Sequence, residues 1–212
     1  MKKKTLLFDF DGVVVDTEPQ YTILWDRLGK KYLNADNFAS RIKGQTIDYV
    51  WEKYFSTKGV DYNMIKKESN NFEISIEYNY IKGFKNFLRS IYPDFNTAIV
   101  TSSTKLKMIK PFHDLPELII FFDKTFTSED FIKSKPDPEC YISAMKYFNS
   151  DKNDTIVFED SFSGLESARR SGAKVVGLAT GSSVEEIKKY ADIVIKNFKN
   201  FDVKQITEYS KQ

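Results

Sequence analysis

Two aspartates separated by a single residue, Asp9 and Asp11, are the first groups in this chain that could do chemistry. They lie in Phe8-Asp9-Phe10-Asp11-Gly12-Val13-Val14-Val15-Asp16-Thr17, directly after an apolar run, Thr5 to Phe8, that reads as a short buried strand. Gly12 lets the backbone turn sharply behind them. Two carboxylates this close are costly to keep ionised away from water without a cation or a shared proton. The carboxyl end of a strand is where open α/β sheets hold their ligands. A divalent cation there relieves the repulsion, and hard oxygen ligands suit magnesium. Alone, Asp-x-Asp-Gly is equally an ordinary acidic turn. A calcium loop needs oxygen ligands at further fixed positions and a late glutamate; Val13, Val14 and Val15 come next instead, which argues against it.

Three later segments add to this pair. Ala98-Ile99-Val100-Thr101-Ser102-Ser103 is an apolar strand ending in hydroxyls. Lys133-Ser134-Lys135-Pro136-Asp137-Pro138 sets a lysine before a proline. Ile156-Val157-Phe158-Glu159-Asp160-Ser161 is a strand ending in two adjacent acids, with Gly164 shortly after. Acids, hydroxyls, a lysine and further acids at strand ends are the parts needed to hold a phosphoryl group beside a metal. In this order the four segments resemble the haloacid dehalogenase superfamily of phosphotransferases. The Asp9–Glu18 opening is similar to the branch that holds β-phosphoglucomutase and sugar-phosphate phosphatases. The resemblance runs from Leu6 to about Ile195.

The resemblance implies an aspartyl-phosphate on Asp9, the nucleophile, with Asp11 as general acid and base. It implies magnesium held by Asp9, the Asp11 carbonyl and Asp160, with Glu159 bound directly or through water. The two acids at 159–160 also suit the start of a helix, where they complement its dipole. Thr101, at its strand end, is the first choice for the phosphate-binding hydroxyl, and Ser102 is the alternative one residue on. Lys135 would neutralise Asp9 and the phosphate together, as a compact point charge can. Cys140 reads as a small packing residue in an early helix turn.

These groups need a frame. Strand-like runs recur at Leu6–Phe10, Thr97–Val100, Lys124–Thr127, Thr155–Phe158, Val175–Ala179 and Ile193–Ile195, and helical patterns alternate with them at Lys82–Ser90, Glu139–Phe148, Ser163–Ser171 and Val184–Tyr190. That alternation predicts an α/β fold, a doubly wound parallel sheet. Ser163 reads as a helix cap and Gly172 as its stop. The run Ile119-Ile120-Phe121-Phe122 reads as buried, and a last short helix is expected after Asn197. Residues 18–80 show no strand; their apolar residues fall at helical spacing, as in Ile23, Leu24, Leu28 and Ile47, Val50, Trp51, Tyr54. The expected division is a core of residues 1–17 and 81–212 with an inserted helical cap, 18–80, standing over the strand ends. Lys43, Gln45 and Thr46 in that cap are the candidates for selecting substrate.

Composition narrows the classes. Lys and Arg number 32 against 30 Asp and Glu, a net charge of +2, which makes no case for a nucleic-acid partner. Cys140 is the single cysteine, so no internal disulfide is possible. His113 is the single histidine and reads as a loop residue, which speaks against histidine-based hydrolysis or a histidine zinc site. Met1-Lys2-Lys3-Lys4 is followed too soon by Asp9 and Asp11 for a signal sequence, and no run suits a membrane span. The expectation is a cytoplasmic enzyme with a small phosphorylated metabolite as partner. The sequence sets no oligomeric state, and a monomer is compatible with it.

Within the resemblance, β-phosphoglucomutase-like chains carry an arginine after the cap's glycine loop and a histidine after the hinge. Here Ile47 and Tyr21 stand at those places. That favours a magnesium-dependent phosphatase, with a sugar phosphate as one candidate substrate, over a mutase. A pyrophosphatase and a non-catalytic binding protein are lesser alternatives, the last disfavoured by the intact Asp9, Asp11, Lys135 and Asp160.

Overall fold

A computed structural model describes residues 3–42, 45–202 and 204. The chain divides into two compact units, Met1–Asp16 with Tyr78–Gln212, and Thr17–Glu77.

The first unit is built on six parallel strands: β1 (Thr5–Phe8), β2 (Asn96–Val100), β3 (Lys124–Phe126), β4 (Thr155–Glu159), β5 (Lys174–Leu178) and β6 (Ile193–Ile195). Their order is β3-β2-β1-β4-β5-β6, so β1 is central. Such a sheet, wound with helices, is the α/β fold expected. β1 is buried along its whole length, as a parallel strand covered on both faces must be. Its side chains alternate between two cores. Leu6 and Phe8 join Phe84, Phe87, Phe122 and Phe158 on one face. Leu7 joins Ala98, Val100, Tyr141, Val157 and Leu165 on the other.

Strand register aligns the acids. Phe8 pairs with Phe158 across β1 and β4, and their rings stack at 4.5 Å. Asp9 continues that ladder, its N–H donating to the Phe158 carbonyl at 3.0 Å. The next residues of the two strands, Asp9 and Glu159, are thereby level with each other.

Several local expectations change. Ser161, not Ser163, caps the Phe162–Ser171 helix, its Oγ accepting from the Gly164 N–H; Gly172 closes it in the left-handed region. His113 lies in the Lys105–Asp114 helix rather than a loop, because the helix continues through Pro111. Ile119 and Ile120 are exposed. They sit on one turn of helix, Leu118–Phe121, of which Leu118 is buried in the core together with the adjoining Phe122. The helix at Val184 ends at Ile187. The helix expected after Asn197 falls mostly outside the described residues.

The second unit is helical, with helices Glu18–Leu28, Phe38–Ile42, Ile47–Val50 and Tyr62–Ser75. Leu24, Leu28, Phe38, Ile42, Val50, Phe55 and Ile65 form its own core. Among the described residues no helix is long and apolar enough to cross a membrane.

Candidate active site

The site is the strand ends themselves. Lys135, from the segment after β3, places its Nζ 2.6 Å from Asp9 Oδ1 and 2.7 Å from Glu159 Oε1. It donates as well to the Val100 carbonyl at 3.1 Å. One ammonium thus ties together the ends of β1, β2 and β4. Its side chain is 4% exposed, that of Asp9 13%, and that of Glu159 0%.

Charge in so dry a place shifts proton affinities. Burial pushes the Asp9 carboxyl up to about 7; Lys135 pulls it back, while Glu159 and Asp11 add to the rise. Burial acts to lower the Lys135 ammonium, but the carboxylates of Asp9 and Glu159 outweigh it and hold Lys135 well above its ordinary value. Burial also raises the Cys140 thiol, which leaves it a packing residue with no thiolate to offer.

Glycines shape the acidic end of the site. A Cβ on Gly164 would lie 1.7 Å from Glu159 Oε1, so the carboxylate rests directly on the helix backbone. A Cβ on Gly12 would lie 2.2 Å from Asp160 Oδ2, and Gly12 has φ +75°. Gly12 is therefore fixed both by its turn and by the acid seated against it. The Thr180 hydroxyl holds this turn, donating to the Gly12 carbonyl at 2.7 Å.

Carboxylate oxygens of Asp9, Glu159 and Asp160 lie within 4.8 Å of one another, a grouping able to hold a cation. Lys135 brings one positive charge to three acids, so a divalent ion fits the charge left over. Glu159 is engaged at both of its oxygens. Its Oε1 accepts from Lys135 and from the Tyr141 hydroxyl, and its Oε2 from the N–H groups of Asp160 and Ser161 and from the Ser161 hydroxyl.

The hydroxyl segment comes directly after β2. Thr101 is buried and its Oγ1 accepts from the Ser103 N–H at 3.0 Å. Ser102 is exposed. Asp11 lies in the turn after β1 and bridges to Val15. The structure therefore brings Asp9, Lys135, Glu159 and Asp160 together, with Asp11 and Thr101 on the flanking turns. Tyr141, Val100 and Thr180 also take part; no motif spacing announces them.

The cap candidates are in the second unit. Lys43 lies outside the described residues. Gln45 and Thr46 are exposed, and Thr46 caps the Ile47–Val50 helix by accepting from the Tyr49 N–H. Tyr21 and Ile47 pack against that unit's apolar core.

The haloacid dehalogenase-like hydrolase family matches residues 6–178 of this chain. Glycerol-1-phosphate phosphohydrolase 1 of Saccharomyces cerevisiae is 27% identical over 96% of this chain and 86% of its own. The phosphorylated carbohydrates phosphatase of Thermotoga maritima is 24% identical over 80% of this chain and 82% of its own. A solved HAD hydrolase of family IA, variant 3, from Entamoeba histolytica has the same fold, with a TM-score of 0.85 at 23% identity over 99% of this chain and 100% of that one.

Proposed function

The chain belongs to the haloacid dehalogenase-like hydrolase family, and from that premise we propose a magnesium-dependent phosphatase of small phosphorylated metabolites, phosphorylated on Asp9 in each turnover. The observation that carries this reading is the Lys135 ammonium, 2.6 Å from Asp9 and 2.7 Å from Glu159 at the strand ends. A carboxylate attacking an anionic phosphate needs such a cation at its side.

In the proposed cycle an Asp9 oxygen attacks phosphorus in line with the ester oxygen. The ester bond breaks, and the leaving alkoxide takes a proton from Asp11. Asp11 then accepts a proton from water, which attacks the acyl phosphate and releases inorganic phosphate, restoring Asp9. Lys135 keeps charge compensated at Asp9 throughout. Asp9, the Asp11 carbonyl and Asp160 are the residues proposed to hold magnesium, which when bound would neutralise the charge gathering between carboxylates and phosphoryl oxygens. Glu159, its oxygens already engaged, serves Lys135 in this reading rather than the metal. Thr101 is proposed as the phosphate-binding hydroxyl, since its Oγ1 accepts from the Ser103 N–H and keeps its own proton to donate, with the exposed Ser102 as the alternative one residue on.

Two observations favour a monophosphate of a polyol or sugar. The two relatives are named for action on glycerol 1-phosphate and on phosphorylated carbohydrates. Tyr21 and Ile47, where a mutase of the resembling branch carries cations, belong to an apolar cluster. Residues 18–80 are proposed as the cap and residues 1–17 with 81–212 as the core, with Lys43, Gln45 and Thr46 choosing the leaving group.

The test is phosphate release from a panel of polyol and sugar monophosphates with and without magnesium, together with hydroxylamine trapping of an acyl phosphate. Magnesium-dependent release, a trapped adduct on Asp9 and an inert Asp9→Asn variant are expected. Full activity in folded Asp9→Asn overturns the nucleophile. Efficient interconversion of glucose 1- and 6-phosphate by the unmodified protein replaces the phosphatase with a mutase.

A further inference from the structure

Behind the ion-paired lysine stands a buried tyrosine. Tyr141, in the Glu139–Tyr147 helix, is 0% exposed. Its neighbours are apolar, Leu7, Val100, Ala144 and Leu165 among them. A phenylalanine would fill that layer equally well, and a hydroxyl there is costly unless it is bonded. The hydroxyl donates to Glu159 Oε1 at 2.9 Å. The same oxygen accepts from Lys135 Nζ at 2.7 Å, and the Tyr141 ring centroid lies 5.1 Å from that nitrogen.

Strand alternation explains the meeting. Glu159 points to the same face as Val157, the face on which Tyr141 packs. The other carboxylate oxygen is held by the Asp160 and Ser161 N–H groups. Glu159 Oε1 therefore has two donors, one fixed in the core and one reaching toward Asp9. If the fixed donor is removed, Lys135 becomes the sole donor to that oxygen. The ammonium is then drawn toward Glu159 and away from Asp9, because the unmet acceptor capacity of a buried carboxylate is expensive.

We propose that Tyr141 is a positioning residue: by sharing Glu159 Oε1 with Lys135, its hydroxyl keeps the ammonium on Asp9. The inference rests on the phosphatase reading in that Lys135 serves Asp9, but its first test needs no activity.

That test is competitive acylation of lysines with limiting acetic anhydride, quantified by mass spectrometry, on the full chain at a temperature where each variant is folded. Tyr141→Phe retains the ring and should lower labelling of Lys135 about 5-fold or more, because an ammonium held by the fully buried Glu159 keeps its proton and leaves the more exposed side, while the exposed Lys152 stays constant; Tyr147→Phe, in the same helix, should change neither. The second test is kinetic. Tyr141→Phe should lower kcat roughly 10- to 150-fold with little change in KM, the worth of one hydrogen bond to a buried charge. In a double-mutant cycle with Glu159→Gln, the pair should be no slower than Glu159→Gln alone, because Tyr141 acts through Glu159. Lys135 labelling at the wild-type level in folded Tyr141→Phe overturns the inference. So do kinetic losses that multiply in the double variant, as a general packing defect would produce. An unmodified protein that hydrolyses no phosphomonoester counts against the phosphatase instead, and the labelling result still decides the role of Tyr141.

Discussion

Asp9 is held at a cost to the fold, and that cost can be measured. Burial raises its carboxyl from the ordinary 3.8 to about 7, even with Lys135 beside it. At about 1.4 kcal/mol per tenfold change in proton affinity, the rise corresponds to a ceiling on the order of 4 kcal/mol. For an acid raised by folding, the stabilisation is fully present below the unfolded value and is lost as pH rises through the folded one. Between about pH 4 and pH 7 the folded state binds more protons than the unfolded chain, so metal-free wild type should lose stability across that window. Asp9→Asn carries no such charge. In EDTA its Tm should match wild type near pH 4 and exceed it near pH 8 by about 5–15 °C, from roughly 2–4 kcal/mol at this chain length. Differential scanning fluorimetry across that pH range gives the reading. Magnesium should then raise the wild-type Tm near pH 8 and leave the variant's almost unchanged. Parallel pH curves, or a variant less stable than wild type near pH 8, refute the reasoning.

Three other perturbations bear on the same framework. Asp11→Asn should lower turnover by roughly two to four orders of magnitude while hydroxylamine still traps phosphate on Asp9, and wild-type turnover would remove Asp11 from proton transfer. Gly164→Ala should cost about 3–5 kcal/mol in chemical denaturation, because its Cβ would displace a buried, fully bonded Glu159; Gly59→Ala, with open space around it, should cost only the roughly 1 kcal/mol of its left-handed backbone, and equal losses would contradict the contact. Exhaustive chelation should abolish phosphate release and calcium should fail to restore it, since looser coordination mis-sets the in-line geometry; activity surviving chelation rules the metal out.

Much of the fold is legible because strands obey simple rules. The apolar runs before Asp9, Thr101 and Glu159 read as buried strands, and parallel register then sets acids at neighbouring ends. Lys135 is marked in the sequence by its prolines, not by its surroundings, and the structure seats it between Asp9 and Glu159. Where the sequence misleads, a residue's own type speaks louder than its neighbours. Ile119 and Ile120 read as buried because they are apolar, but a single helical turn can bury only one side, and Leu118 and Phe122 occupy it. Ser163 reads as a cap, yet Ser161 sits nearer the strand and its hydroxyl reaches Gly164.

Tyr141 is the deeper case. It sits beyond Lys135 in an ordinary amphipathic helix, and nothing in its spacing separates it from the aromatic residues that only fill space. Its hydroxyl acquires meaning only when β4 turns Glu159 toward it and the loop turns Lys135 to the same oxygen. A motif marks the groups that touch the reacting atoms, because their types are dictated by chemistry. The groups that hold them are dictated by which face of the sheet each side chain enters, and one hydroxyl in an apolar layer is then the sign to look for. By that criterion the buried Thr127 and Ser167 on the same unit are explained by bonds within a turn and to the main chain, whereas the Tyr141 hydroxyl ends on a carboxylate of the site.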